Sequence, residues 1–156
     1  MTYLVVRARS DIKVERSIKE TMHHLNLTRV NHAVLVSGRP EMLGMLKKAK
    51  DYITWGEAST EMVTALLQQR GRLVGDHPLT DEKVAESTGF KDIASFATAI
   101  AQDEAEVKDI PDLKRVFRLH PPRGTKGWGG IKRSFVVGGA LGPRGDAIDA
   151  LVERML

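Results

Sequence analysis

The chain has 156 residues, 42% of them hydrophobic and 28% charged, with a formal net charge of +4 and no cysteine. That balance excludes wholesale disorder and collagen-like repeats, and the length suits one compact domain or a small core with an appendage. The missing thiols exclude a disulfide framework, a thiolate zinc site and a cysteine nucleophile.

In Tyr3 to Arg9 the side chains alternate, with Leu4, Val6 and Ala8 on one face and Tyr3, Val5, Arg7 and Arg9 on the other, which predicts a half-buried strand. From Lys13 to Asn26, Val14, Ile18, Met22 and Leu25 recur at intervals of four, four and three, the single apolar stripe of an amphipathic helix. Ala33 to Val36 is a short apolar run that Gly38 ends, and Pro40 suits the first position of a second helix reaching about Lys50. Within that helix Gly44 should cost ~1 kcal/mol relative to alanine, so either another backbone or RNA lies against it. Tyr52 to Glu57 reads as a third strand.

Ser59 is a candidate N-cap for a helix that buries Met62, Val63, Leu66 and Leu67 and stops at Gly71. Two short helices follow, one after Thr80 using Val84 and Ala85, the other after Asp92 using Ile93, Phe96, Ala97 and Ile100. Their acidity places them in solvent or makes them a spacer. Val116 to Leu119 is a short strand candidate, His120-Pro121-Pro122-Arg123 and a glycine-rich basic loop follow, and Ala147 to Leu156 is a terminal helix with Ile148, Leu151, Val152 and Met155 on one side.

Charge is divided unevenly along this order. Residues 1–56 carry +5, residues 57–113 carry −7 and residues 114–156 carry +6; from Lys114 to Gly145 there are eight basic residues, no acidic one and eight of the fourteen glycines. A segment of that kind is either a solvated charge run or a binding surface for a polyanion. Gly124 to Gly130 lacks the Gly-Lys-Ser/Thr ending of a P-loop, no Gly-x-Gly-x-x-Gly follows a strand, and no Gly-x-Ser-x-Gly or His-Glu-x-x-His occurs. Neither catalysis nor a metal site has a recognisable foothold, and no cofactor is implied. Arg118, His120, Arg123, Lys126, Lys132 and Arg133 instead interleave with glycines and Trp128, a combination suited to irregular RNA surfaces. Trp128 either stacks on a base or anchors the loop on the protein.

Leu25-Asn26-Leu27-Thr28-Arg29-Val30-Asn31-His32, Arg39-Pro40-Glu41-Met42-Leu43-Gly44-Met45-Leu46, Trp55-Gly56-Glu57, Arg118-Leu119-His120-Pro121-Pro122-Arg123-Gly124 and Gly138-Gly139-Ala140-Leu141-Gly142 occur in that order. On these motifs the chain resembles the large-subunit ribosomal protein family numbered thirty, in its longer archaeal form related to a eukaryotic counterpart. Where many relatives place Arg before the helix glycine, this chain has Leu43. The resemblance implies an α+β fold: a ferredoxin-like β-α-β-α-β core with a three-stranded antiparallel sheet over residues 1–57, a helical acidic insert over 58–113, and a basic glycine-rich extension with its terminal helix over 114–156. Crossover logic alone would favour parallel neighbours in the core.

It further implies a non-catalytic constituent of the large subunit of the cytoplasmic ribosome. Such a protein binds ribosomal RNA of the 23S type close to 5S RNA, touches neighbouring ribosomal proteins, and is present as a monomer. The residues expected to meet RNA are Arg7, Arg9, Lys13, Arg29, Asn31, His32, Arg39, Gly44, Lys47, Lys48, Lys50, Arg118, His120, Arg123, Lys126, Trp128, Lys132, Arg133 and Arg144. No membrane contact is expected, since no apolar run approaches the roughly 18 to 20 residues that cross a bilayer and Met1 to Ser10 lacks the apolar stretch of a signal peptide. Two other classes stay open: a protein-interaction module using the acidic helices and the terminal helix, and a small-molecule enzyme.

Overall fold

The computed structural model describes residues 2–124 and 126–156; Met1, and Thr125 of the glycine-rich loop, lie outside the described residues. The first module is β1 (Thr2–Arg7), α1 (Arg16–His24), β2 (His32–Ser37), α2 (Pro40–Lys48) and β3 (Ile53–Glu57). β1 lies in the middle, antiparallel to both neighbours, with Val5 opposite Val34 on one side and Trp55 on the other. Parallel pairing fails because the segment between α1 and β2 climbs back along the strand before β2 starts. Asn31 N–H there donates to the Arg7 carbonyl at 2.9 Å, so β2 begins where β1 ends.

The sheet has six strands rather than three. β4 (Phe117–Arg118) pairs antiparallel to β2, β6 (Gly139–Pro143) runs parallel to β3, and β5 (Gly130–Ser134) pairs with β6, giving the order β4-β2-β1-β3-β6-β5. The C-terminal extension thus supplies a strand to each edge of the antiparallel trio. Two of the resemblance motifs acquire a steric reason here. A Cβ at Gly56 would overlap the Gly145 carbonyl and the Ile148 side chain, and one at Gly139 would overlap the Arg133 backbone.

Both faces of β1 are buried, against the expectation of a half-exposed strand. Leu4 and Val6 enter a core with α3 (Thr60–Arg70), α5 (Ile93–Ala101) and α6 (Ile148–Glu153), whereas Val5 enters a second core with Met22 and Leu25 of the α1 segment and Leu46 of α2. α4 (Asp81–Thr88) sits beyond α5 and adds Val84. The acidic middle is no spacer, because α5 buries Ile93, Phe96, Ala97, Ala99 and Ile100. α5 is mostly apolar and contains no acidic residue, so the negative charge of this stretch lies wholly outside it. Ile148, Leu151, Val152 and Met155 are buried as well, so the terminal helix has no free apolar side to offer a partner.

Helix caps follow the sequence closely. Met62, Lys83 and Ser95 donate their backbone N–H groups to the side chains of Ser59, Thr80 and Asp92. Ser59→Ala should therefore lower unfolding free energy by about 1 kcal/mol, measured by urea titration. An unchanged midpoint would show that the Ser59 hydroxyl contributes nothing.

Candidate nucleic-acid interface

Topology collects the basic residues. β1 ends, β2 and β3 begin, and β4 ends at one end of the sheet, since Arg7 pairs with Ile53 and His32 with Arg118. The loops entering and leaving there carry Arg9, Lys13, Arg29, Lys50, His120, Arg123 and Lys126. α2 runs from the far end of β2 back to the start of β3, which brings Lys48 to the same end, whereas Lys47 borders a cleft lined by Tyr3, Trp55 and Glu57, toward the far end. All of these are exposed except Arg9, which is half-buried with its guanidinium 5.2 Å from the Tyr52 ring centre. β5 follows beyond Lys126 and exposes every residue, Lys132 and Arg133 included.

The glycine-rich loop is pinned to this end. His120 N–H donates to the Met155 carbonyl at 2.9 Å, and Arg123 N–H donates to the Arg154 carbonyl at 3.2 Å. The Arg154 guanidinium returns a bond to the Arg123 carbonyl at 3.0 Å. Trp128 is half-buried against the larger core and its indole Nε1–H donates to the Asn31 Oδ1 at 3.0 Å. That geometry makes Trp128 an anchor, and it occupies an acceptor that Asn31 would otherwise show to RNA.

The structure places several other expected contact residues away from the open basic surface. Arg7 is 3% exposed, and its guanidinium donates to the carbonyls of Arg9 and Leu27, 2.8 and 2.9 Å away. Burial pulls its pKa below the ordinary arginine value, with Asp11 opposing that shift. Its charge is spent on holding these two carbonyls inside the fold. Arg144 donates to the Thr54 hydroxyl at 2.8 Å and the Ala140 carbonyl at 2.7 Å, and burial, aided by Arg154, lowers its pKa to about 10, which leaves it charged at neutral pH. His32 is half-buried with Nδ1 unpartnered; burial first, then Arg118, Arg29 and Arg7, depress its pKa and favour the neutral imidazole. Arg39 sits at the opposite end of the sheet, 3.4 Å from Glu106.

Arg118 remains exposed but shares Asp76 with Lys114, at 3.3 and 2.8 Å. The acidic middle thus reaches the basic segment through this aspartate rather than standing wholly apart. Gly44 is exposed, and a Cβ built on it meets no atom within 4 Å. Among the described residues, therefore, no other segment of this chain packs against the helix glycine. Leu43 beside it is partly buried against the smaller core.

Sequence reasoning passed over Arg154, which clamps the loop, and a run of exposed apolar side chains on β5 and the 3-10 turn after it: Ile131, Phe135, Val136 and Val137. Four apolar residues in a segment without acids were a visible signal, hidden by the glycines around them. Among the described residues no cluster of His, Asp and Glu is placed to hold a metal, and no helix is long and apolar enough to cross a membrane.

Comparison with known proteins agrees with this architecture. The pattern of the family Ribosomal protein L30p/L7e matches residues 3–53, the stretch from β1 to the start of β3. The large ribosomal subunit protein uL30 of Methanopyrus kandleri is 52% identical over 148 residues, covering 95% of this chain and 99% of its own length. Those of Methanoregula boonei and Methanobrevibacter smithii are each 46% identical over 154 residues, covering 98% and 99% of this chain respectively and 99% of their own lengths. Identity at that level across the sheet, the insert and the basic extension places the chain in the ribosomal L30p/L7e family, whose members are structural, non-enzymatic proteins of the large ribosomal subunit.

Proposed function

We propose that the protein binds large-subunit ribosomal RNA through the basic end of its sheet, supporting subunit assembly and translation in the cytoplasmic ribosome. A single copy would lie close to 5S RNA and beside other ribosomal proteins. The observation that carries this reading is the convergence of Lys13, Arg29, Lys48, Lys50, His120, Arg123 and Lys126 at one sheet end, continued by Lys132 and Arg133 on β5. Lysine and arginine there neutralise phosphates and release counterions, which supplies affinity with little sequence information. Selectivity comes from shape: a rigid sheet end with a pinned glycine-rich loop fits the backbone path of a particular RNA junction. The open surface over Gly44 gives a sugar-phosphate backbone close access to α2.

A filter-binding titration against an in vitro transcript of archaeal large-subunit RNA tests the electrostatic mechanism. With about six phosphates neutralised in duplex regions, log K should fall against log salt with a slope of roughly −5. A slope near zero would sink it.

A further inference from the structure

We propose that Phe135 is a base-stacking platform of the RNA interface, with Lys132 and Arg133 holding the phosphates on either side of the stacked nucleotide. The inference rests on the RNA-binding reading and names the group that meets a base. Phe135 opens the 3-10 turn Phe135–Val137 that joins β5 to β6. The Arg144 guanidinium lies 4.8 Å from the ring centre, and Arg144 is itself fixed by the Thr54 hydroxyl and the Ala140 carbonyl. One side of the ring is therefore backed by an anchored cation. Phe135 is nevertheless 39% exposed, and Val136 and Val137 beside it are 82% and 66% exposed.

Three adjacent apolar side chains held in water by a short turn call for an occupant. Charge selects it. Lys132 and Arg133 precede the turn, and no acidic residue occurs from Lys114 to Gly145. A carboxylate-rich peptide would answer the cations but would gain little from a flat ring. An unpaired nucleotide answers both, presenting a π face and a phosphate within one residue, and bases splayed from RNA loops stack on aromatic rings and guanidinium planes. Trp128 is excluded from the role by its core packing and its bond to Asn31.

The full-length protein, Phe135→Ala, Phe135→Leu, Phe135→Trp and the double variant Lys132→Gln/Arg133→Gln are titrated with the large-subunit RNA transcript at several salt concentrations, with thermal melting of each. Phe135→Ala should weaken binding roughly tenfold at an unchanged salt slope. Phe135→Leu, which keeps apolar bulk without a flat face, should lose nearly as much, and Phe135→Trp should bind at least as tightly as the natural protein. The double variant should instead flatten the slope by about two. Natural affinity in both Phe135→Leu and Phe135→Ala would overturn the proposal, as would a loss that appears only as a changed slope. If Phe135→Ala binds RNA normally yet fails to enter assembled subunits, the turn is a protein contact and the proposal is overturned. Failure of the unaltered protein to bind the transcript defeats the RNA-binding reading itself, and this inference with it.

Discussion

Replacing Arg123, Lys126, Lys132 and Arg133 together by glutamate should lower affinity for large-subunit RNA at least a hundredfold, by the rule of about 0.9 released counterions per phosphate. All four side chains are exposed and the described hydrogen bonds give none of them a protein partner, so reversal removes phosphate contacts without dismantling the fold. Arg123 meets Arg154 only through its backbone, a bond that glutamate keeps. Arg118 is left out because Asp76 shares it, and Arg144 because burial makes it structural. Neutralising Glu82, Glu86 and Glu104, which are exposed in the acidic middle, should change affinity by less than about threefold, since they lie outside the contacting face. Equal losses from the two sets would show that net charge alone, and not the sheet end, carries binding. Circular dichroism checks that both proteins are folded.

Trp128→Ala should act on stability. The indole is packed on the larger core and its N–H bond ties the glycine-rich loop to Asn31, whose own carbonyl accepts from Leu119 at 3.2 Å. Full burial of a tryptophan would cost about 3 to 5 kcal/mol on truncation; a half-buried one should cost about 2. In a chain of this size that lowers the melting temperature by roughly 4 to 8 °C. RNA affinity measured well below the transition should stay within about threefold of natural, because no base-stacking surface is lost. An unchanged melting temperature with a tenfold loss of affinity would reverse the assignments of Trp128 and Phe135.

The difference between these two aromatics marks where sequence reading stops. Val14, Ile18, Met22 and Leu25 announced α1 by their spacing, Ser59 announced α3 by capping chemistry, and short apolar sets after Thr80 and Asp92 announced α4 and α5. These signals are local, so they survive without knowledge of the fold. β5 and β6 left no such trace. β6 is Gly-Ala-Leu-Gly-Pro, a composition that pattern rules assign to a loop, and it becomes a strand because the free edge of β3 accepts it at Thr54 and Trp55. Pairing of that kind is a property of two distant segments.

The burial of Arg7 was missed for a related reason. Alternation put it beside Val5 on a face assumed to be wet, whereas Leu4-Val5-Val6 is a continuous apolar run of the type that strands covered on both faces show. Read that way, the arginine ending the run is a buried charge needing carbonyl partners, which Arg9 and Leu27 supply. The basic sheet end was legible residue by residue, as Arg29, Lys50, Arg123 and Lys126, but not as one surface. Antiparallel order around β1 is what gathers them.

Ultraviolet crosslinking in cells, with sequencing of the bound RNA and mass spectrometry of the crosslinked peptides, tests the central claim most directly. Binding through the basic sheet end predicts RNA reads concentrated on large-subunit ribosomal RNA and adducts on peptides spanning residues 118–137. Reads scattered without preference for that RNA, or adducts confined to the helices between residues 81 and 101, would contradict it.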